Sequence, residues 1–376
     1  MSEEEGLDKT LSGESAPAAE EKPKRSFKGI VFGAVFSLIC IAVLLTVLLQ
    51  LGDIEAVFQA IGEADGMFIM YALLVLLAYI LLWPLAFCVL CRTKKTKTSF
   101  TENYLIGATE HFFNGITPFQ TGAQPFQIYS LARGNVKAGD GTGLVLANFI
   151  ATCIASNLLV ALSFIYAPTL FSHFDAATLW IPILGLFMNF FTLVSFICIT
   201  TCKWFRNFIV WCMRLVCKIK IVNRFLGKRI PAFEAYCDRT QEAAKSAFAN
   251  IPSFIVTVLI KIVCTMLYYT IPFFLLKALN FNFVSGDFMY VFFATCFVIN
   301  SVVFVPTPGG SGGMEFAFTV VFLAAAISDN QVFAAALLWR GFTYYLLMLV
   351  SFIQYLALEL IYKVKANKIK KLEMPV

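Results

Sequence analysis

Apolar stretches recur along the chain at about 28–51, 67–91, 141–167, 178–202, 253–279, 288–305, 315–327 and 331–362. A membrane-crossing helix needs about 20 apolar residues, so the six longest runs predict full spans. The pattern breaks twice. Residues 102–131 are only half apolar and are flanked by Lys97 and Arg133. Bases at both ends fit a helix pair that enters and returns on one side, turning at Thr117–Pro125. Residues 288–327 run apolar, break at Pro306, Thr307, Pro308, Gly309, Gly310, Ser311, Gly312 and Gly313, then resume after Glu315. The predicted fold is an all-α polytopic membrane protein with about six full spans plus two re-entrant helical hairpins, roughly eight membrane segments.

The two breaks superpose in sequence. Thr117-Pro118-Phe119-Gln120-Thr121-Gly122-Ala123-Gln124-Pro125-Phe126 precedes Thr307-Pro308-Gly309-Gly310-Ser311-Gly312-Gly313-Met314-Glu315-Phe316 by 190 positions. The same offset carries the run at 67–91 onto 257–281 and the start at 141 onto 331. Span 178–202 adds one crossing, so the second unit enters from the opposite side. Units at about 67–167 and 253–362 therefore read as the inverted repeat of a transporter fold.

Proline removes a backbone donor and glycine loosens a helix. Unpaired backbone groups survive at membrane depth only inside protein or beside a watery cavity. Two such breaks meeting near the midplane predict one polar cavity, with helix N-termini at about Pro125 and Glu315 aimed into it and suited to an anion. Plain helix packing and kinking is the competing explanation. Candidate substrate-binding residues are Glu110, Thr117, Gln120, Thr121, Gln124, Thr307, Ser311, Glu315 and Arg340. Pro118, Gly122, Pro125, Pro306, Pro308, Gly309, Gly310, Gly312 and Gly313 form the breaks. Ionisable groups inside a span are functional candidates by default; Glu315 is the expected partner of Arg340, with a purely structural ion pair as the alternative. His111, Asn114, Gln127 and Asn300 lie near the breaks, Asn148, Asn157 and Asn189 read as interhelical hydrogen bonders, and Lys261 reads as snorkelling to the cytoplasmic surface.

Composition agrees. Only 14% of the 376 residues are charged, against about 25% in soluble domains. Residues 1–26, rich in Glu, Ser, Ala, Pro and Lys, predict a disordered cytoplasmic tail; residues 27–362 form the membrane domain, and 363–376 a basic tail. Lys and Arg cluster at 9–28, 92–97, 133–137, 203–245 and 363–371, whereas the connections at 52–66, 168–178, 280–287 and 328–330 hold acids and no base. Positive loops stay in the cytoplasm, which places both termini inside an inner (plasma) membrane. Segment 203–250, with Trp204, Phe208 and Trp211 among ten bases, predicts an amphipathic helix on the inner leaflet followed by a polar helix at 231–249. Two histidines and the absence of a paired Cys motif beyond Cys88 and Cys91 argue against a metal centre; no cofactor is expected.

Thr307 to Glu315, TPGGSGGME, resembles the P-G-G-x-G-x-x-E motif of the lysylphosphatidylglycerol synthase transmembrane region. Asn114 to Leu131, NGITPFQTGAQPFQIYSL, resembles that family's T-P-x-x-x-G-G-x-P-x-x-x-Y motif, with Ala123 in place of the second glycine. The resemblance spans roughly 28–362. It implies a flippase-like membrane region that moves aminoacylated phosphatidylglycerol in two-part members, conferring resistance to cationic peptides, beside a C-terminal aminoacyltransferase domain that this chain is expected to lack. Other members resemble handlers of polyprenyl-phosphate or glycolipid carriers. The leading expectation is a lipid translocase. The alternatives are the membrane component of a phosphatidylglycerol lysyltransferase whose catalytic domain is on another chain, and a coupled small-solute transporter. Expected partners are membrane lipids, with a separate aminoacyltransferase or glycosyltransferase and a homo-oligomer left open, and no directly bound nucleic acid.

Overall fold

The structure, a computed structural model, describes residues 54–171, 180–216, 230–281, 287–302, 305–324 and 329–372. The tail at 1–26 and the expected first span lie outside the described residues. All regular structure described is helical: α1 (Ile54–Gly62), α2 (Gly66–Thr93), α3 (Phe100–Ala108), α4 (Glu110–Gly115), α5 (Ala123–Arg133), α6 (Ala138–Phe171), α7 (Trp180–Thr201), α8 (Lys203–Val216), α9 (Ile230–Ala249), α10 (Ile251–Ala278), α11 (Asp287–Ser301), α12 (Gly313–Ala324), α13 (Asp329–Arg340) and α14 (Leu347–Leu372). Within the described residues, five helical segments are long and apolar enough to cross a membrane: Gly66–Thr93, Ala138–Ile165, Ile183–Thr201, Ile251–Ala278 and Gln331–Asn367. The protein is a multi-pass helical membrane protein.

Local signals set the ends. Asp65 accepts from the Met67 amide at 2.8 Å to start α2, and Ser99 and Glu102 form a reciprocal capping box at α3. Asn250 accepts from the Ser253 amide to start α10. α2 and α10, each carrying one interior proline (Pro84 and Pro272), form the most extensive helix pair of the bundle. The final apolar run is one continuous helical segment, as expected, but α13 passes into α14 through a π turn at Gly341–Leu346. One extra residue per turn displaces the residues on either side, and such turns recur at functional sites; Arg340 is the residue just before it.

Between membrane helices, association depends on close packing and interhelical hydrogen bonds rather than on apolar transfer from water. Gly185 shows the first: a Cβ there would overlap the Ser301 backbone, so α7 and α11 touch backbone to backbone. Asn300 shows the second. Its side chain accepts from Ser156 on α6 and from Asn189 on α7 (2.7 Å) and donates to the Tyr269 hydroxyl on α10 (2.9 Å). Asn157 donates to Asn189 at 2.8 Å, so the expected interhelical role holds for both. At about 0.6 kcal/mol per interhelical bond, Asn300→Ala is expected to lose about 2 kcal/mol, read as a lower unfolding temperature in detergent, with Asn157→Ala losing less.

Segment 98–134 folds back on itself. A Cβ at Gly134 would overlap the Thr98 side chain, so its two ends meet. α3, α4 and α5 pack along α14: Ser351 donates to the Ala108 carbonyl (2.6 Å), Tyr362 donates to the Ser130 carbonyl (2.8 Å), and Arg133 pairs with Glu359 at 2.6 Å. α9 is close to the expected 231–249, and α8 exposes Trp204, Phe208, Trp211 and Leu215 along one stripe.

Candidate functional site

The two breaks open with the same backbone. Pro118–Gln120 and Pro308–Gly310 are both 3₁₀ turns, entered through Thr117 (φ −116°, ψ 145°) and Thr307 (φ −113°, ψ 154°). The next position but one is left-handed in both: Phe119 at φ 56°, ψ 14° and Gly309 at φ 59°, ψ 16°. Gln120 and Gly310 follow at φ 53° and 67°. The 190-residue offset therefore holds through Gln120 and Gly310 and ends there: Thr121 (φ −106°, ψ 1°) and Gly122 (φ −75°) differ from Ser311 (φ −59°, ψ 141°) and Gly312 (φ 86°). The two turns lie against one another. They differ in exposure: Phe119 and Thr121 are exposed, whereas Pro308, Gly309, Gly310 and Ser311 are buried.

Side chains of the breaks mostly serve the breaks. Thr117 donates to the Phe113 carbonyl and accepts from the Gly122 amide at 2.9 Å, while Asn114 accepts from the Ala123 amide at 3.0 Å. In the second break Thr307 donates to the Ser311 carbonyl, and Glu315 accepts from the Gly312 amide at 2.6 Å. The helices begin at Ala123 and Gly313, close to the expected Pro125 and Glu315, and the Gly122, Ala123 and Gly312 amides are held by the protein's own acceptors.

Arg340 joins the second break to the π turn. Its Nε lies 2.6 Å from Glu315 Oε1, with both side chains almost fully buried; the N–H does not point at that oxygen, so the contact is Coulombic. Nη2 donates to Ser311 Oγ at 3.0 Å and to the Gly309 carbonyl at 3.3 Å. The guanidinium stacks on Tyr344, 4.2 Å from the ring centre. Nη1 has no hydrogen bond within the described residues.

A cavity of about 630 Å³ opens beside this arrangement. Of the expected binding residues, Glu110, Gln120, Thr121, Gln124 and Arg340 line it, as does Gly309. Thr117, Thr307, Ser311 and Glu315 stand behind the wall, shaping the turns and holding Arg340. Leu146, Phe149, Thr152 and Ser156 from α6 and Thr192 and Phe196 from α7 close the far side. Among the described residues, α7 packs chiefly on α6, α9 and α11 rather than on α4, α5 or the first turn, and the cavity lies between the first break and α7.

The opposite wall was not anticipated. Tyr79, Trp83 and His111 sit with ring centres 5.3 Å apart, and Tyr268 lies 5.2 Å from Tyr79. Trp83 Nε1 donates to Glu110 at 3.0 Å. Behind Trp83, the Nζ of Lys261 rests 3.3 Å from the ring centre. Lys261 is 0% exposed and does not snorkel; its position near the middle of α10, facing α2 rather than the surface, is the reason. The signal was present as a base well inside a 28-residue apolar helix whose other base, Lys277, is in the last turn, but one sequence does not show which face it occupies.

A second ionic contact lies at the far end of α14. Glu102, 1% exposed, accepts from Lys365 at 2.7 Å and from the Ser99 amide and hydroxyl. Desolvation alone would raise the Glu102 carboxyl, but the Lys365 and Ser99 hydrogen bonds outweigh it and hold the group below the ordinary carboxylate range. A folded-state value below the unfolded one gives stability that is complete above the unfolded value, about 4.3, and lost as pH falls through the lower folded value. Unfolding temperature in detergent is expected to fall over that acidic range, and Glu102→Gln is expected to flatten the slope.

The family model for the lysylphosphatidylglycerol synthase TM region matches residues 30–351. No curated protein matches the chain.

Proposed function

Because the chain belongs to the lysylphosphatidylglycerol synthase TM region family, we propose that it is a lipid translocase of the inner membrane, moving an anionic or aminoacylated phospholipid or a polyprenyl-phosphate lipid, with both termini cytoplasmic. One observation carries this reading: a buried guanidinium, locked by Glu315, Ser311 and Tyr344, stands in the wall of a cavity where the two breaks meet. A planar fork of fixed orientation suits a phosphate, and Nη1 is the donor left for it. Gln120, Gln124 and Thr121 supply neutral hydrogen bonds for the rest of a headgroup.

Size supports a headgroup rather than a whole lipid. Cavities of about 300–1,000 Å³ hold drug-sized ligands, and a diacyl lipid is larger. The acyl chains would leave sideways, between the first break and α7, whose Leu184, Phe187 and Phe191 are exposed apolar residues. Alternating access then moves the headgroup while the tails stay in hydrocarbon.

The test is reconstitution of the purified chain alone into liposomes with fluorescent phosphatidylglycerol or polyprenyl phosphate, scored by dithionite quenching. Faster transbilayer movement supports the translocase; no acceleration for any anionic lipid overturns it. Movement that requires an added aminoacyltransferase would favour a component of a lipid-aminoacylating complex.

A further inference from the structure

We propose that the cavity selects a phosphodiester headgroup whose outer end carries neutral hydroxyls, a glycerol or a sugar, and that Thr152, Ser156 and Thr192 are the residues that select it. The movement of such a lipid rests on the translocase reading; its binding here does not.

A serine or threonine hydroxyl has one hydrogen to donate and two lone pairs to offer. Six such side chains line the cavity, and the hydrogen of each is already committed within the protein. Thr152, Thr192 and Thr265 donate to the Asn148, Met188 and Lys261 carbonyls one turn back, at 3.2, 2.8 and 2.7 Å. Thr343 donates to the Trp339 carbonyl, Thr121 to the Pro118 carbonyl and Ser156 to the Asn300 side chain. Toward the cavity, all six act as acceptors.

The free donors stand elsewhere. The Trp339 indole N–H, buried in the cavity wall, has no acceptor among the described residues, and neither has Arg340 Nη1. Gln120 and Gln124 add side-chain amides beside the first break. The α6–α7 wall contributes none of these and no charge: Leu146, Phe149 and Phe196 are apolar, and the rest is hydroxyl. Neighbouring contacts put Thr152 and Thr192 at one level of that wall. On one side of them the Phe149 and Phe196 rings lie 4.7 Å apart, and on the other Asn157 donates to Asn189 at 2.8 Å.

A phosphate held at Arg340 therefore meets donors, and what it carries toward α6 and α7 meets acceptors. Neutral hydroxyls satisfy them. A simple alkyl ester leaves them without a partner, and an ammonium group finds no carboxylate on that wall to offset its desolvation. Glu110, the acid lining the cavity among the described residues, belongs to the opposite wall with Trp83.

Two measurements on the full chain test this. Phosphatidylglycerol and phosphatidylethanol share one phosphodiester and one negative charge, and only the first has headgroup hydroxyls. In proteoliposomes holding either lipid with a fluorescent acyl chain, phosphatidylglycerol is expected to move about tenfold faster, the size of two neutral hydrogen bonds. Thr152→Val combined with Thr192→Val should bring that ratio near one, and Thr152→Ser combined with Thr192→Ser should keep it. Short-chain forms of the two lipids, added to the detergent-solubilised chain, read binding alone; phosphatidylglycerol is expected to raise the unfolding temperature further. Equal rates with equal temperature shifts overturn the proposal, as does a ratio that the valines leave unmoved. An aminoacylated phosphatidylglycerol that outruns its parent assigns the outer end to Glu110 and overturns it too. A selective temperature shift without any lipid movement would support the hydroxyl site and overturn the translocase reading alone.

Discussion

Arg340→Lys is expected to stay folded yet slow lipid movement by about a hundredfold, and Arg340→Ala to lose both movement and stability. The difference follows from what each leaves behind. Alanine strands the buried Glu315 carboxylate, and breaking a buried pair from one side costs about 3–5 kcal/mol. Lysine keeps a positive charge for Glu315 but forfeits the fork that reaches Ser311, the Gly309 carbonyl and the Tyr344 face together. About a hundredfold corresponds to about 2.7 kcal/mol, of the size of one charged hydrogen-bond set. Unfolding temperature in detergent and the liposome assay, read side by side, separate the two losses. If Arg340→Lys moves lipid at the wild-type rate, the pair only holds the turn.

Gly309→Ala should be the most damaging methyl group in the second break. Gly309 sits at φ 59°, where an L side chain costs about 1–2 kcal/mol. A Cβ would also overlap the Tyr344 ring. That ring cannot retreat: its hydroxyl donates to the Gly115 carbonyl at 3.0 Å, and Arg340 packs on its face. Overpacking adds about 1–3 kcal/mol, so a total of about 2–5 kcal/mol is expected as a lowered unfolding temperature. Gly312→Ala, at φ 86° but facing open space, should cost only the conformational part. Phe119→Gly, at the equivalent left-handed position of the first break, should relieve strain instead. Equal effects at 309 and 312 would show that Tyr344 yields.

Much of this was legible because membrane physics leaves few options. Apolar run lengths located the long helices, and the 190-residue offset located two turns whose dihedrals matched through Gln120 and Gly310. Glu315 and Arg340 could be paired because buried charges seldom stand alone. The hydrogen bonds that Thr117, Thr307 and Ser311 make within the site were not legible, for a physical reason. Threonine and serine in a break serve a ligand or the backbone equally well, and only coordinates show which acceptor is near. The π turn after Arg340 was invisible because its sequence keeps good helical hydropathy throughout. Lys261 and its Trp83 neighbour needed the α2–α10 contact, which joins residues far apart in the chain.

The unequal exposure of the two tips has a mechanical consequence. A tip whose Phe119 and Thr121 are uncovered has few neighbours to break when it shifts, while one enclosed by Tyr344, Met314 and the Arg340 clasp must drag its surroundings along. In the proposed transport cycle the two breaks would therefore not trade jobs: the stroke would be lopsided, with the glycine-poor copy as the moving jaw and the glycine-rich copy as the anvil against which it closes.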